Sequence, residues 1–206
     1  MKLYGRYFSP FVRRVATTLN VMGQPFEQVQ VAPFDEWDKA LSVNPVVRIP
    51  ALELDDGDVL IDSTTILDSL DEQAGAIALV PANGKERRDV LKLVAIALGA
   101  MEKSVNSAYE LRFHTKGNVA QDWVERCDNQ TVSALQALDA HVEKAGPDGW
   151  LYGNSMTQAD ISATVAFTFA SLARPKLGVA EKAPNLAKLA SRLEATDAFK
   201  NTHPAA

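Results

Sequence analysis

Residues 44–63 read NPVVRIPALELDDGDVLIDS, and this stretch decides how the first part of the chain folds. Two short apolar runs, Ala51–Leu54 and Val59–Ile61, flank the turn-forming sequence DDGD. Asp-Gly tolerates the positive φ that tight hairpin turns need, so the pattern predicts a β-hairpin. Ser63 follows as a candidate N-cap, and apolar residues at helical spacing then predict a helix that ends near Gly75.

The residues before this hairpin predict a β-α-β unit. Lys2–Tyr7 and Glu27–Val31 alternate polar and apolar residues, as half-buried strands do. Between them, Ser9 and Pro10 open a helical pattern that Gly23 ends. The resulting order of elements, β-α-β followed by β-β-α, indicates a small α/β domain.

After about residue 84 the strand patterns stop and long helical patterns follow. Apolar residues at 3.6-residue spacing predict helices over residues 85–114 and 119–145, and two more begin near Ile161 and Pro184. Residues 157–160, TQAD, resemble a capping box with aspartate in the place of glutamate. Gly99, inside the first long helix, is expected to permit a close helix crossing.

Composition and charge exclude several classes of function. The chain has 206 residues and a formal charge of −5, which argues against a nucleic-acid partner. No apolar run approaches the roughly 20 residues that a membrane span needs, and no secretory apolar segment opens the chain. Its one cysteine, Cys127, excludes an intrachain disulfide and is expected to lie in the core. We therefore expect a soluble, cytoplasmic protein without a membrane partner.

Three local features of the first domain have both a structural and a functional interpretation. Ser9 and Pro10 suit the N-cap and first position of a helix, which explains them without any ligand. A helix N-terminus also presents free N–H groups and a partial positive charge to an anion. A serine hydroxyl at that place could donate a hydrogen bond to a thiolate.

The second feature is the Arg48-Ile49-Pro50 sequence immediately before a predicted strand. If the Ile49–Pro50 bond is cis, the Ile49 N–H and C=O lie at a sheet edge where an extended peptide can pair. The alternative is a trans proline that starts an edge strand.

The third feature is the Asp62-Ser63 pair at the start of the next helix. It is explained by helix capping and a favourable acidic first turn. Alternatively, the Ser63 hydroxyl and N–H hold a ligand carboxylate while Asp62 faces an amino group. The pairs Arg13-Arg14 and Arg87-Arg88 are expected on solvated helix faces.

The order and spacing of five motifs resemble the glutathione S-transferase superfamily, most closely its bacterial, serine-type members. The motifs are YFSPFVRRV at 7–15, NPVVRIPAL at 44–52, LIDS at 60–63, WLYG at 150–153 and TQADI at 157–161. The resemblance covers nearly the whole chain. It implies an α/β thioredoxin-like N-terminal domain over residues 1–78, followed by an all-α helical domain over residues 85–206.

The resemblance also implies a function and partners. The expected protein is a homodimeric detoxification enzyme that ionises glutathione and conjugates it to a small hydrophobic electrophile. Glutathione is then a co-substrate, and neither a cofactor nor a metal is expected. A non-catalytic binding or regulatory protein and a glutathione-dependent isomerase are the alternatives.

Site residues follow by position within the motifs. The resemblance implies that Ser9 meets the glutathione sulfur, with Tyr7 as a rival for that role. It implies glutathione-binding roles for five residues: Arg48, Ile49, Pro50, Asp62 and Ser63. A hydrophobic pocket for the second substrate would be lined by Phe11, Tyr109, Arg112 and Phe113. Interhelical packing is the alternative role for the last three.

The free energies of thiolate stabilisation support Ser9 as a hydrogen-bond donor to sulfur. Lowering a thiol pKa by about two units requires roughly 2.7 kcal/mol of selective thiolate stabilisation. A hydrogen bond to a charged acceptor supplies about 1.5–3 kcal/mol, and a helix terminus adds roughly 0.3–1 kcal/mol. Serine cannot form the mixed disulfide of thiol–disulfide exchange, so that branch of chemistry is disfavoured.

Overall fold

The computed structural model describes residues 1–114, 117–146 and 148–204. The chain divides into two compact units, one formed by Met1–Ala82 with the chain from Glu194 onward, and the other by Asn83–Leu193. The first contains a four-stranded sheet with helices and the second is largely helical, which confirms the predicted fold class. The domain bounds 1–78 and 85–206 stay a prediction, because the two units divide the chain differently at its C-terminal end.

Four short strands form the sheet of the first unit. They are β1 (Lys2–Tyr4), β2 (Glu27–Val29), β3 (Ala51–Glu53) and β4 (Val59–Ile61). Their order is β2-β1-β3-β4, with β1 and β2 parallel and the other neighbours antiparallel. The predicted hairpin between β3 and β4 is confirmed.

The helices of the described residues are α1 (Pro10–Val21), α2 (Trp37–Leu41), α3 (Ser63–Ala74), α4 (Gly84–Phe113), α5 (Gln121–Ala145), α6 (Gln158–Ala173), α7 (Val179–Lys182), α8 (Pro184–Glu194) and α9 (Asp197–Lys200). The four helices predicted after residue 84 begin and end close to α4, α5, α6 and α8. The sequence patterns did not predict α7 or α9, which have only four residues each.

The core of the first unit lies between α1, α3 and the sheet. Its buried side chains are Leu3, Val12, Val15, Ala16, Leu19, Leu52, Ile66 and Leu67. The spacing of the α1 members matches one helical face, so the same periodicity that predicts the helix also positions it on the sheet. This packing fixes where the first residues of α1 and α3 lie.

The first strand is shorter than the alternating pattern predicts. β1 ends at Tyr4 rather than Tyr7, because the chain turns at Gly5, which has φ 136°. A Cβ atom on Gly5 would lie 2.5 Å from the Val12 side chain, so only glycine allows α1 this close. Tyr7 consequently lies in a turn, with its partly buried ring against the core.

The expectation that Arg13 and Arg14 face solvent is wrong, since each is only 1% exposed. The Arg13 Nε donates to the carbonyl oxygen of Thr202 at 3.0 Å, and its Nη2 pairs with Glu194 at 2.5 Å. The Thr17 hydroxyl lies 2.8 Å from that of Thr202. The C-terminal residues therefore cover a face of α1 that its own sequence pattern assigns to solvent.

The second unit contains the predicted capping box. Asp160 is fully buried at the start of α6, where its Oδ2 accepts from the Thr157 N–H at 2.8 Å and hydroxyl at 2.9 Å. Its Oδ1 accepts from the Leu151 N–H at 2.8 Å. Burial raises the pKa of Asp160 above its ordinary value although these hydrogen bonds favour the carboxylate.

Two further expectations for the second unit have opposite outcomes. Cys127 is fully buried, as predicted, and burial raises the pKa of its thiol. The prediction of a close helix crossing at Gly99 is wrong, because a Cβ atom there would meet no described neighbour within 4 Å. None of the helices that the structure describes is long and apolar enough to span a membrane.

Candidate functional site

Ser9 is the N-cap of α1, and Pro10 is the first residue of that helix. The Ser9 Oγ accepts from the Val12 N–H at 3.5 Å, which is a long and weak capping bond. The side chain is partly exposed, and within the described residues its O–H has no acceptor. The capping interpretation is therefore confirmed, while the hydroxyl proton stays available to a ligand at the helix N-terminus.

Tyr7, the rival of Ser9, has a less suitable environment. Its ring packs on the core, and burial raises the pKa of its phenol above the ordinary value. A phenol of raised pKa is a weaker acid and stabilises a thiolate less well than an ordinary tyrosine would. These environments favour Ser9 over Tyr7 as the donor to sulfur.

The loop before β3 has the backbone form expected for peptide pairing. The Ile49–Pro50 bond is cis, as the family resemblance implies. Among the described residues, the N–H and C=O of Ile49 take part in no hydrogen bond, so both remain available to an extended ligand.

Asn44 holds this loop and is a site residue that the sequence analysis missed. It is 3% exposed, its Nδ2 donates to the Arg48 carbonyl at 2.8 Å, and its Oδ1 accepts from the Val46 N–H at 2.9 Å. Both groups lie on the approach to Ile49, so Asn44 orders the backbone that a peptide would pair with. An asparagine before Pro45 is the signal that could have indicated this role.

The start of α3 differs from the predicted cap by one residue. Asp62, not Ser63, is the N-cap, and its Oδ1 accepts from the Thr64 N–H at 2.8 Å. Asp62 has φ 67°, a conformation that aspartate tolerates better than most residues other than glycine. Ser63 is the first helical residue and is 2% exposed, so its hydroxyl is not needed as a cap.

A cleft of about 80 Å³ in the first unit brings most of the predicted residues together. Its lining residues are Phe11, Asn44, Val46, Arg48, Ile49, Pro50, Ile61, Asp62 and Ser63. All five residues predicted to bind glutathione are among them. Ser9 is not in the lining but precedes Phe11 by two residues at the N-terminus of the same helix.

The other predicted pocket residues lie near the C-terminal end of α4, in the second unit. The Tyr109 and Phe113 rings meet edge to face with centroids 5.6 Å apart, and the Arg112 guanidinium lies 5.3 Å from the Phe113 centroid. Tyr109 and Phe113 are 44% and 45% exposed, more than interhelical packing alone requires. Their role toward a second substrate, like that of Phe11, stays a prediction.

Comparison with known proteins gives two matching family models. Residues 3–83 match "Glutathione S-transferase, N-terminal domain", and residues 121–189 match "Glutathione S-transferase, C-terminal domain". The first match spans the sheet from Leu3 onward, α1, α3 and every residue that lines the cleft.

Similar proteins include two enzymes named as isomerases. A maleylacetoacetate isomerase of Pseudomonas aeruginosa is 28% identical over 215 aligned residues, covering 100% of this chain and 96% of that protein. A maleylpyruvate isomerase of a Ralstonia species is 31% identical over 168 residues, covering 78% of this chain and 77% of that protein.

Among solved structures, a glutathione S-transferase of Methylobacillus flagellatus with glutathione bound superposes with a TM-score of 0.90. The two chains are 26% identical, and the match covers 98% of each.

Proposed function

Because the chain belongs to the glutathione S-transferase superfamily, we propose that it ionises glutathione beside Ser9 and transfers the thiolate to an electrophilic carbon of a small hydrophobic substrate. The observation that carries the proposal is the Ser9 hydroxyl, partly exposed at the N-terminus of α1 with its proton uncommitted among the described residues. A neutral donor at a helix N-terminus favours a bound anion over its protonated form.

The chemistry of the cleft matches the groups of glutathione. The Ile49 N–H and C=O would pair with the cysteinyl backbone in the manner of an added strand. Ser63 and the free N–H groups of α3 suit the carboxylate of the γ-glutamyl end, and Asp62 suits its amino group. Arg48, which is exposed at the cleft, suits the glycine carboxylate.

In the proposed reaction Ser9 remains a neutral hydroxyl throughout. It donates to the sulfur, the thiol proton passes to water, and the thiolate attacks the substrate carbon. With an aryl halide, the new carbon–sulfur bond replaces the carbon–halogen bond and halide leaves. Ser9 acts as a hydrogen-bond donor and neither as a nucleophile nor as a general base.

The similarity to two named isomerases supports a second candidate function that begins with the same thiolate. The thiolate would add to a carbon–carbon double bond, the resulting single bond would rotate, and elimination would release the isomer. Glutathione is then regenerated, whereas conjugation consumes it. The two functions therefore differ in stoichiometry rather than in the residues that activate sulfur.

The test measures the binding of glutathione and then the consumption of glutathione and of substrate in the same assay. The protein is first passed over immobilised glutathione, then assayed with an aryl halide and separately with a maleyl keto acid. Conjugation predicts retention and one glutathione consumed per product, and isomerisation predicts turnover of the keto acid with no loss of glutathione. Retention without either turnover supports a binding protein, and failure to bind glutathione in solution contradicts the whole proposal.

Two further expectations belong to this proposal. A homodimer and a cytoplasmic location are implied by the family resemblance, and light scattering of the purified protein tests the first.

A further inference from the structure

A buried arginine lies behind the cleft and is not used by the chemistry described so far. Arg14, on α1, is 1% exposed, although long charged side chains are rarely buried unless they are paired. Its neighbour Arg13 is equally buried but forms an ion pair with Glu194. Arg14 has no ion-pair partner within the described residues, so its burial needs another explanation.

The one hydrogen bond that the Arg14 side chain makes among the described residues points at the cleft. Its Nη1 donates a long hydrogen bond to the Ser63 Oγ at 3.4 Å, while its Nε has no partner among the described residues. A guanidinium group can only donate, so the Ser63 oxygen must be the acceptor. The Ser63 hydroxyl proton therefore has to point away from Arg14, and Ser63 lines the cleft.

The charge of Arg14 is maintained against the cost of burial. Burial lowers its pKa to about 10, and the charge of Asp62 offsets part of that effect. At neutral pH the side chain is still protonated. An apolar side chain of similar length would fill the same space without a buried charge, so a function is the simplest reason for arginine at this position.

We propose that Arg14 is a positioning residue for the carboxylate of the γ-glutamyl end of glutathione. It holds the Ser63 oxygen as an acceptor, which leaves the Ser63 hydroxyl as a donor to that carboxylate. Because the Arg14 guanidinium is buried, dissolved salt screens its attraction to the glutathione carboxylate only weakly. This inference rests on the proposed binding of glutathione and deepens it by assigning selectivity for an anionic α-carboxylate.

Two glutathione analogues separate this role from a structural one. In the first, a 4-aminobutyryl group replaces γ-glutamyl and removes only the α-carboxylate. In the second, a glutaryl group removes only the amino group. Affinities for glutathione and both analogues are measured by calorimetry for the unaltered protein, Arg14→Met, Arg14→Lys and a control on exposed α4, Arg88→Met.

Arg14→Met is expected to weaken binding of glutathione and of the glutaryl analogue at least about tenfold. It is expected to leave the already weak binding of the aminobutyryl analogue unchanged. Arg14→Lys should recover part of the loss, and Arg88→Met should change nothing. In conjugation assays the loss should fall on KM for glutathione, with kcat at saturating glutathione retained.

Equal losses for all three ligands would overturn the inference, because a structural defect does not distinguish them. Unchanged glutathione affinity in Arg14→Met would overturn it as well. If Arg14→Met does not fold, Arg14→Lys provides the same comparison, and it should lose part of its affinity only for ligands that carry the α-carboxylate. Failure of the unaltered protein to bind glutathione would instead contradict the proposed function itself.

Discussion

Replacing Ser9 by glycine and, separately, by alanine distinguishes its capping role from its proposed role toward sulfur. Glycine is a nearly adequate N-cap, whereas alanine is a poor one, so the two variants differ in how they affect the helix. Both lack the hydroxyl, so they should be alike in how they affect a bound thiol. Ser9→Thr keeps a hydroxyl and serves as the matched control.

The structure sets the size of each effect. The capping bond from the Val12 N–H is 3.5 Å long, so its loss in Ser9→Ala should cost only about 0.5–1 kcal/mol. For a chain of this length that lowers Tm by roughly 1–4 °C, and Ser9→Gly should lower it by less. Losing a donor to a thiolate costs about 1.5–3 kcal/mol, which raises the pKa of the bound thiol by roughly one to two units.

The assay is the pH dependence of conjugation at saturating glutathione, with thermal unfolding measured in parallel. Because the thiol pKa rises in both variants, activity at neutral pH should fall at least about tenfold and recover as pH increases past the new pKa. Ser9→Thr should stay close to the unaltered protein. If Ser9→Gly and Ser9→Ala keep the original pH profile, sulfur is stabilised by Tyr7 or by backbone N–H groups instead.

Three other substitutions have defined outcomes. Arg14→Met should leave Tm unchanged or raise it, because burial lowers the pKa of the arginine to about 10, which corresponds to roughly 3 kcal/mol of unfavourable charge burial. That unfavourable term is fully present below about pH 10 and is relieved only as pH rises through this value, so a clear fall in Tm at neutral pH would contradict it. Asp160→Asn should destabilise the chain by about 2–4 kcal/mol, since one amide oxygen cannot replace both carboxylate oxygens toward Thr157 and Leu151. Urea unfolding measures this loss, and an unchanged midpoint would refute it. Asn44→Ala should raise KM for glutathione several-fold with little change in kcat, because the Arg48 carbonyl and the Val46 N–H beside Ile49 lose their hydrogen-bond partner. Steady-state kinetics test this prediction, and a fall in kcat alone would contradict it.

Features whose causes are local in the chain were predicted well. The hairpin follows from Asp-Gly between two apolar runs, and the start of α1 follows from serine and proline in sequence. The capping box of α6 is likewise contained in residues 157–160. In each case the residues that form the structure are also the residues that carry the signal.

Features that depend on residues far away in the sequence, or on the local backbone conformation, were not predicted from the residue patterns. The burial of Arg13 depends on Glu194 and Thr202, which no helical periodicity in α1 can reveal. The N-cap of α3 falls on Asp62 because that residue adopts φ 67°, whereas the sequence offers two equally good capping residues. The cis form of the bond before Pro50 was predictable only through the family resemblance, since cis is rare for any given proline.

A crystal structure of the protein with glutathione measures the central relationship directly, through the distance between the glutathione sulfur and the Ser9 Oγ. We expect the sulfur within hydrogen-bond distance of Ser9, and the cysteinyl backbone paired with the N–H and C=O of Ile49. A tripeptide bound away from this cleft, or a Ser9 side chain turned from the sulfur, would contradict thiolate activation by this residue.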